Sequence, residues 1–314
     1  MTEEAAVIIS GGTDSTLIAA YIKELDNQRY RNDKKIREAF TMKLEHQPEE
    51  ELDFAKSLCK QWRWNHHVFH IDERHMVNSY LQMLKILDEP NGDRSLIPTH
   101  LLAQIISPHS RIAIGGDGGD GGDELFCGSD RYRTFEKIFN DHKNIDWADL
   151  YWEKGLNVGD NITIKSINKK LGLKEGEMNK RLSTILQSQW KHSPGNFLRA
   201  LDLNYYLPIV LDKVDKASMF YGLEVRSPLL DTKLAMAALA IEPNIHMKDG
   251  TTKSILKQIL EEKVGKIPKL RTKQGFGALI KTGGIFEKFL KERIERYLNE
   301  SKRHTTSQAQ WIYK

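Results

Sequence analysis

The sequence predicts an α/β protein: a parallel sheet with helices on both faces, followed by a mainly helical carboxyl-terminal part. Three observations predict it. Short apolar runs of strand length alternate with amphipathic stretches over residues 5–114. The first of those runs breaks into small residues, an acid and hydroxyls, "IISGGTDST", the punctuation of a strand that turns tightly into a helix. Beyond about residue 130, strand-like runs become scarce while turn signals and helical periodicity dominate.

Taken in order, Ala5–Ile9 is continuously apolar and reads as a buried strand, and Thr16–Leu25 reads as the helix that follows it. Ala39–Leu44 gives a second strand, Leu52–Trp62 an amphipathic helix and His67–Ile71 a third strand. Met76–Leu87 and Thr99–Ile106 carry helical spacing, and Arg111–Ile114 supplies a fourth strand. A boundary falls near Ile145, inside the polar stretch "NDHKNIDWADL". The expected organisation is an α/β core over residues 1–145, a helical insertion over 146–195 and a helical part over 196–314 that completes the site and ends in a tail. Residues 155–186, rich in Lys, Asn and Gly, read as a solvated portion of the insertion.

Composition narrows the function classes. The 314 residues suffice for one large domain or two modest ones. With 47 basic against 43 acidic residues and a net charge of +4, nothing demands a nucleic-acid partner, although a phosphate-bearing ligand is permitted. Cys59 and Cys127 are the only cysteines, which argues against a disulfide framework or a thiolate metal site and leads to the expectation of a reducing cytoplasm. The amino terminus reads MTEE, and no run approaches the ~20 apolar residues of a membrane span, so no membrane association is expected.

The small-residue loop has a chemical reading. In a parallel α/β sheet, ligands bind beyond the carboxyl ends of the strands. Ser10, Gly11 and Gly12 occupy such an end and lead into a helix, where bare backbone N–H groups approach an anion closely. Asp14 makes little sense beside a naked phosphate and good sense if a divalent metal bridges carboxylate and phosphates. A Walker A loop would carry Gly-Lys-Ser/Thr instead. The alternative is a glycine-rich turn with Asp14 as a helix cap.

"SGGTDS" resembles the pyrophosphate-binding loop of the N-type ATP pyrophosphatases, which cleave ATP between the α and β phosphates and adenylylate an acceptor. Four further stretches, "DEPNGDRSLIPTHLLA", "RIAIGGDGGDGGDELFCGSDRY", "LDKVDKASMFYGLEVRSPLLD" and "TTKSILKQIL" with "KLRTKQGFG", resemble asparagine synthetases in the expected order over roughly residues 5–290. The resemblance implies an adenine nucleotide α-hydrolase-like fold, ATP and Mg²⁺, and amide formation from a carboxylate, most simply aspartate. It also implies roles. Asp14 and Asp123 would hold the magnesium, while Ser10, Gly11, Gly12 and Ser15 would cradle pyrophosphate. Ile8 and Met42 would lie against adenine, with Gly118 and Gly119 contributing; Lys253 and Lys273 would reach the phosphates. Lys273 would stabilise the adenylylation transition state, Asp120 would stand near the acceptor or amine, and Glu224 would orient the nucleophile or form an ion pair with Arg226.

Three departures from the family pattern stand out. Gly-Gly-Asp occurs three times in succession, so the register of Asp117 and Asp120 is open, and Cys127-Gly128-Ser129 stands where Gly-Gly-Tyr is usual. The first strand also begins only a few residues after Met1, which gives the expectation that no glutaminase domain precedes it. Ammonia from solution or from a separate glutaminase subunit, or an internal amine as in lactam-forming cyclases, would then serve as nucleophile. A homodimer is compatible with the resemblance. A tRNA-modifying ATP pyrophosphatase is the less favoured alternative, because it would want a more basic surface. Cys59, inside an amphipathic helix, and Cys127, beside carboxylates, are not expected to be glutaminase nucleophiles. His66 and His67 point to opposite faces of a strand and read as fold residues, not as one metal site.

Overall fold

The computed structural model describes residues 5–29, 37–44, 49–88, 93, 95–115, 121–141, 193–267 and 284–303. The described parts of 1–122, 207–235 and 255–297 form one compact unit, and those of 123–206, 236–254 and 298–314 form a second. Neither unit is a single stretch of chain. Of the helical insertion expected over 146–195, residues 146–192 lie outside the described residues.

The first unit is built on a parallel sheet. Its strands are β1 (Ala6–Ile8), β2 (Glu38–Leu44), β3 (Asn65–Ile71), β4 (Ile112–Ile114) and β5 (Glu224–Arg226), in the order β3-β2-β1-β4-β5. Every neighbouring pair is parallel. The fifth strand falls in the part expected to be mainly helical. Its three residues, Glu-Val-Arg, are too few and too polar to show a period, and only pairing with β4 makes them a strand.

Alternation along the strands sends residues to opposite faces, and both faces are covered. On one side Val7, Ile9 and Ala39 pack with Ala19 of helix α1 (Thr13–Arg29) and with Ala55 and Cys59 of α2 (Glu49–Trp62). On the other, Ala6, Ile8, Phe40, Met42, Leu44, Ile71 and Ala113 pack against α3 (Glu73–Met83) and α4 (Leu96–Ile106). That layer also takes Leu223, which follows α8 (Leu207–Met219), and Phe286 of α12 (Ile285–Arg303). α4 is buried along most of its length, which suits the short, almost entirely apolar LIPTHLLAQII. The helices begin and end somewhat outside the apolar periodicity, because polar first-turn residues such as Asp14 and Glu49 favour the positive end of a helix without contributing to its apolar face.

β1 to β3 are laid down towards one edge of the sheet, whereas β4 and β5 lie on the other side of β1. The direction of winding therefore reverses between β1 and β4, the position at which parallel α/β sheets open a crevice beyond their carboxyl ends. No helix among the described residues is long and apolar enough to cross a membrane.

The second unit contains α5 from Asp123 onward (the helix spans Gly122–Leu125), α6 (Asp130–Asp141) and α7 (Pro194–Leu201). Asp202–Tyr206 is wound as a π-helical turn, and the short α10 (Pro243–His246) completes the unit after α9 (Thr232–Leu239). Arg199 of α7 is fully buried and donates to the carbonyls of Ala238, at 2.5 Å, and Ile241, at 2.9 Å, so its charge closes the end of the α9 segment.

His100 illustrates the cost of burying a titratable group in the first unit. It is fully buried, hydrogen-bonds Ser79 Oγ through Nδ1 at 2.8 Å and packs against the rings of Phe220 and Tyr221. Burial pushes its pKa down to about 4 from the ordinary 6.5. Between those values the folded protein keeps it neutral while the unfolded chain binds the proton, so stability falls as pH drops through that window. Melting temperature followed across the same window should fall less steeply for His100→Gln than for the wild-type chain; parallel curves would show that His100 is not held neutral.

Candidate functional site

The loop after β1 is fixed by its own hydroxyls. Ser15 Oγ accepts the N–H of Ser10 at 3.0 Å and lies 2.8 Å from Ser10 Oγ, while Gly12 N–H donates to Ser10 Oγ at 3.3 Å. These bonds hold residues 10–15 in a closed turn at the carboxyl end of β1, and α1 starts from it at Thr13. Gly11 has φ +88°, and a Cβ there would stand 2.0 Å from the carbonyl oxygen of Glu51 in α2. Only glycine satisfies both conditions. Asp14, in the first turn of α1, is buried, and a Cβ on Gly122 would lie 2.9–3.0 Å from its carboxylate. Glycine at 122 lets the chain pass directly over that acid.

Ile8 and Met42 are buried in the layer facing α3 and α4. Ile8 also lines a recess with an empty volume of about 430 Å³, open mouth included, formed with Thr99, Ala103, Gly115, Val214 and Ser227 among others. Gly115 follows β4, and a Cβ there would meet Ile8 Cβ at 2.6 Å. The side chain that lines the recess thus also requires the glycine beside it. Lys43, at the carboxyl end of β2, is buried and pairs with Glu49 Oε1 at 3.1 Å. Sequence reasoning missed Lys43, and the signal for it is the single lysine between Met42 and Leu44 in "AFTMKL".

The second unit holds the acid of the third Gly-Gly-Asp and the glutamate after it. Asp123 Oδ1 pairs with Lys253 Nζ at 2.5 Å. Lys253 is buried, in the left-handed backbone region (φ 53°), immediately before α11 (Ser254–Val264). Read alone it would be a surface helix lysine; the turn instead folds it inward. A Cβ on Gly128 would lie 2.0 Å from Lys253 Cε and 2.2 Å from Asp123 Oδ1, so the pair needs a glycine there. Beside them, burial and the neighbouring charge of Asp123 raise the Glu124 carboxyl to about 7. Asp202 is fully buried and accepts from Tyr132 Oη at 2.8 Å and from Arg131 Nη2 at 2.9 Å. Burial raises its pKa against the opposing pull of Arg131. This network also escaped sequence reasoning, because Asp202 stands 71 residues from Arg131 and no local spacing relates them.

The sequence-predicted residues therefore fall as follows. Ile8, Ser10, Gly11, Gly12, Asp14, Ser15 and Met42 belong to the first unit, with the loop residues gathered in one turn. Asp123 and Lys253 belong to the second and form an ion pair. Glu224 is exposed on β5, its Oε1 accepting from Arg226 Nε at 2.9 Å. Gly118, Gly119, Asp120 and Lys273 lie outside the described residues. Cys59 and Cys127 are buried free thiols, each pushed up to about 12 chiefly by burial.

Comparison with known proteins adds a family assignment. The model of the asparagine synthase family matches residues 2–314. The chain is similar to asparagine synthetase [glutamine-hydrolyzing] 1 of Bacillus subtilis, 25% identical over 296 residues, covering 85% of this chain and 45% of that protein. It is likewise similar to putative asparagine synthetases [glutamine-hydrolyzing] of Mycobacterium bovis and Mycobacterium tuberculosis, 24% identical over 300 residues and covering 85% of this chain and 44% of theirs. The chain thus spans about half the length of the curated relatives it matches.

The loop geometry separates its two glycines. Gly11→Ala combines a left-handed backbone with a collision against the Glu51 carbonyl and should cost at least ~2 kcal/mol in urea unfolding. At Gly12 a Cβ would meet only Ser10 Oγ at 3.3 Å, so Gly12→Ala should cost at least about 1 kcal/mol less. Equal losses would contradict this account of the turn.

Proposed function

The chain belongs to the asparagine synthase family, and on that premise we propose that it is an ATP-dependent amide-forming ligase acting on a carboxylate, in the first instance aspartate. The observation that carries the reading is the turn 10–15. Its two glycines, facing hydroxyls and buried acid lie at the carboxyl end of β1 and feed a helix amino terminus, in a chain matched by the family model almost end to end.

The chemistry explains the residue types. A carboxylate is a poor electrophile, so one of its oxygens must become a leaving group. Attack of that oxygen on the α-phosphorus of ATP breaks the bond to the β-phosphate oxygen and gives an acyl-adenylate with release of pyrophosphate. The nitrogen of ammonia, or of an amine supplied by a partner, then attacks the acyl carbon; AMP departs and the nitrogen loses a proton. Backbone N–H groups at Gly11 and Gly12, with Ser10 and Ser15, are suited to the pyrophosphate. Ile8 and Met42 are assigned to the adenine side, Gly118 and Gly119 to the nucleotide, and Lys253 and Lys273 to phosphate charge. Asp120 and Glu224 are assigned to the acceptor and the incoming amine.

Asp14 in the first unit and Asp123 in the second are assigned to Mg²⁺. Hard carboxylate oxygens suit that ion, and the glycine packed over Asp14 leaves its carboxylate uncrowded by a side chain at that position. Bound magnesium would offset the charge that builds on the phosphates. In the structure the charge of Asp123 is balanced by Lys253, so a cation at Asp123 competes with that ammonium.

Nitrogen is assigned to ammonia or to a separate glutaminase subunit. Amide hydrolysis needs thiolate character, and both thiols are buried with pKa values raised to about 12. A second reading keeps the chemistry and changes the acceptor, as in a specialised amidotransferase or lactam-forming cyclase. Cys127-Gly128-Ser129 in place of the family's usual Gly-Gly-Tyr favours it, because the loss of a tyrosine there alters the acceptor side.

Pyrophosphate release is the direct test. With ATP, Mg²⁺ and aspartate the purified chain should release pyrophosphate, and Asp14→Asn should reduce the rate at least about a hundredfold with the fold intact by circular dichroism. No release with aspartate, but release with another carboxylate, would favour the second reading; unchanged turnover in Asp14→Asn would remove the metal role.

The nitrogen source is tested separately. Ammonium should support amide formation while glutamine alone should not, and replacing Cys59 and Cys127 together by Ala should leave the ammonium-dependent rate within about twofold. Glutamine hydrolysis that disappears with either thiol would overturn that assignment.

A further inference from the structure

At the amino-terminal edge of the sheet, away from the loop after β1, three metal-ligating side chains converge: Glu38 of β2, His67 of β3 and His109 in the turn between α4 and β4. Their ligand atoms all lie within 4.8 Å of one another. His67 Nε2 and Glu38 Oε2 stand 2.5 Å apart. From this geometry we infer that Glu38, His67 and His109 form a binding site for a borderline transition-metal ion of the zinc class, which would tie the α4–β4 turn to the ends of β2 and β3.

The donor set selects the ion. Two imidazoles and one carboxylate are the ligands of zinc-like metals, which take three protein groups and leave a position open, whereas magnesium prefers oxygen alone. The surroundings hold the ligands in orientation. His67 is stacked on the fully buried ring of Phe40, with centroids 4.7 Å apart and planes 14° from parallel, so its Nε2 edge is turned to Glu38. The His109 ring lies 5.3 Å from the same phenylalanine and 4.8 Å from His67. Asn65 Nδ2 donates to Glu38 Oε1 at 2.8 Å, which occupies one carboxylate oxygen and presents the other. That is the outer support seen around metal-binding carboxylates.

Metal–ligand distances of about 2.1 Å in a tetrahedral site require donor atoms roughly 3.4 Å apart. The exposed His109 would turn inward to reach that spacing, while His67 Nε2 and Glu38 Oε2, 2.5 Å apart, would separate by about 0.9 Å to admit the ion. An ion would take the place of the proton shared between them. His66, the neighbour of His67, points to the other face and bonds Thr41 Oγ1 at 2.7 Å. Adjacent histidines do not share the ion; His67 and His109, 42 positions apart in sequence, do.

Titration of the full chain with Zn²⁺ by calorimetry, and with Co²⁺ followed by its visible absorption, tests the site. The expected result is one saturable ion per chain, not displaced by excess Mg²⁺. His109→Ala should abolish it, and because His109 is exposed that variant should fold normally. Asn65→Ala, which removes only the outer support, should weaken binding about tenfold. His70→Ala, on the opposite face of β3 and exposed, should bind as the wild type does. His109→Cys should restore binding and add a sulfur-to-cobalt charge-transfer band that no structural role would produce. Absence of saturable Zn²⁺ binding, or undiminished binding in His109→Ala, overturns the inference.

Discussion

Everything in the first unit depends on how closely the backbone passes at the carboxyl end of β1. That strand is central, with β2 on one side and β4 on the other, and both of its faces are covered by helices. It can therefore carry only apolar side chains along its length, and any chemistry must be placed at its end. There the chain turns within van der Waals reach of α2 at Gly11 and passes Gly122 over Asp14, while Gly115 sits against Ile8. Each approach is shorter than a side chain would permit. The glycines are consequences of the packing, and the loop that results is closed by its own hydroxyls.

The second unit is organised by charge. The pairs Asp123–Lys253 and Asp202 with Arg131 and Tyr132 bury Lys253, Asp202 and Tyr132, while Asp123 and Arg131 stay partly exposed. Such pairs rarely stabilise a fold more than apolar residues of the same volume would, but removing one partner leaves a buried charge uncompensated. Glu124 shows the strain of that arrangement: burial and the neighbouring Asp123 hold its carboxyl near 7 although it lies beside Lys253. An enzyme that must gather phosphates and metal ions needs fixed charges set up in advance, and preorganised charge is costly to bury.

The proposed ligase chemistry and the proposed transition-metal site rest on different ends of the same sheet. At the carboxyl end, hard oxygens and N–H groups suit phosphates and magnesium; at the amino end, imidazoles around Phe40 suit a softer ion. A parallel sheet separates these environments because its strands all point one way, so loops of one kind collect at one edge and loops of the other kind at the opposite edge.

By itself the sequence determined the layered α/β class, four of the five strands, and the turn after β1, because each is a local pattern. Apolar runs, their spacing and the Ser-Gly-Gly-Thr-Asp-Ser stretch are all readable within a window of a dozen residues. It also placed Cys59 in a buried helix face and set His66 and His67 on opposite sides of a strand, as the structure has them. Tertiary structure alone decided the rest. The strand Glu224–Arg226 exists only through pairing with β4, and Lys253 is buried only because a left-handed turn and Gly128 draw it onto Asp123. Arg131 meets Asp202 across 71 residues, and His67 meets His109 across two helices. Contacts between distant segments leave no periodic trace in the chain, since their cause is the packing of whole elements and not the spacing of neighbours.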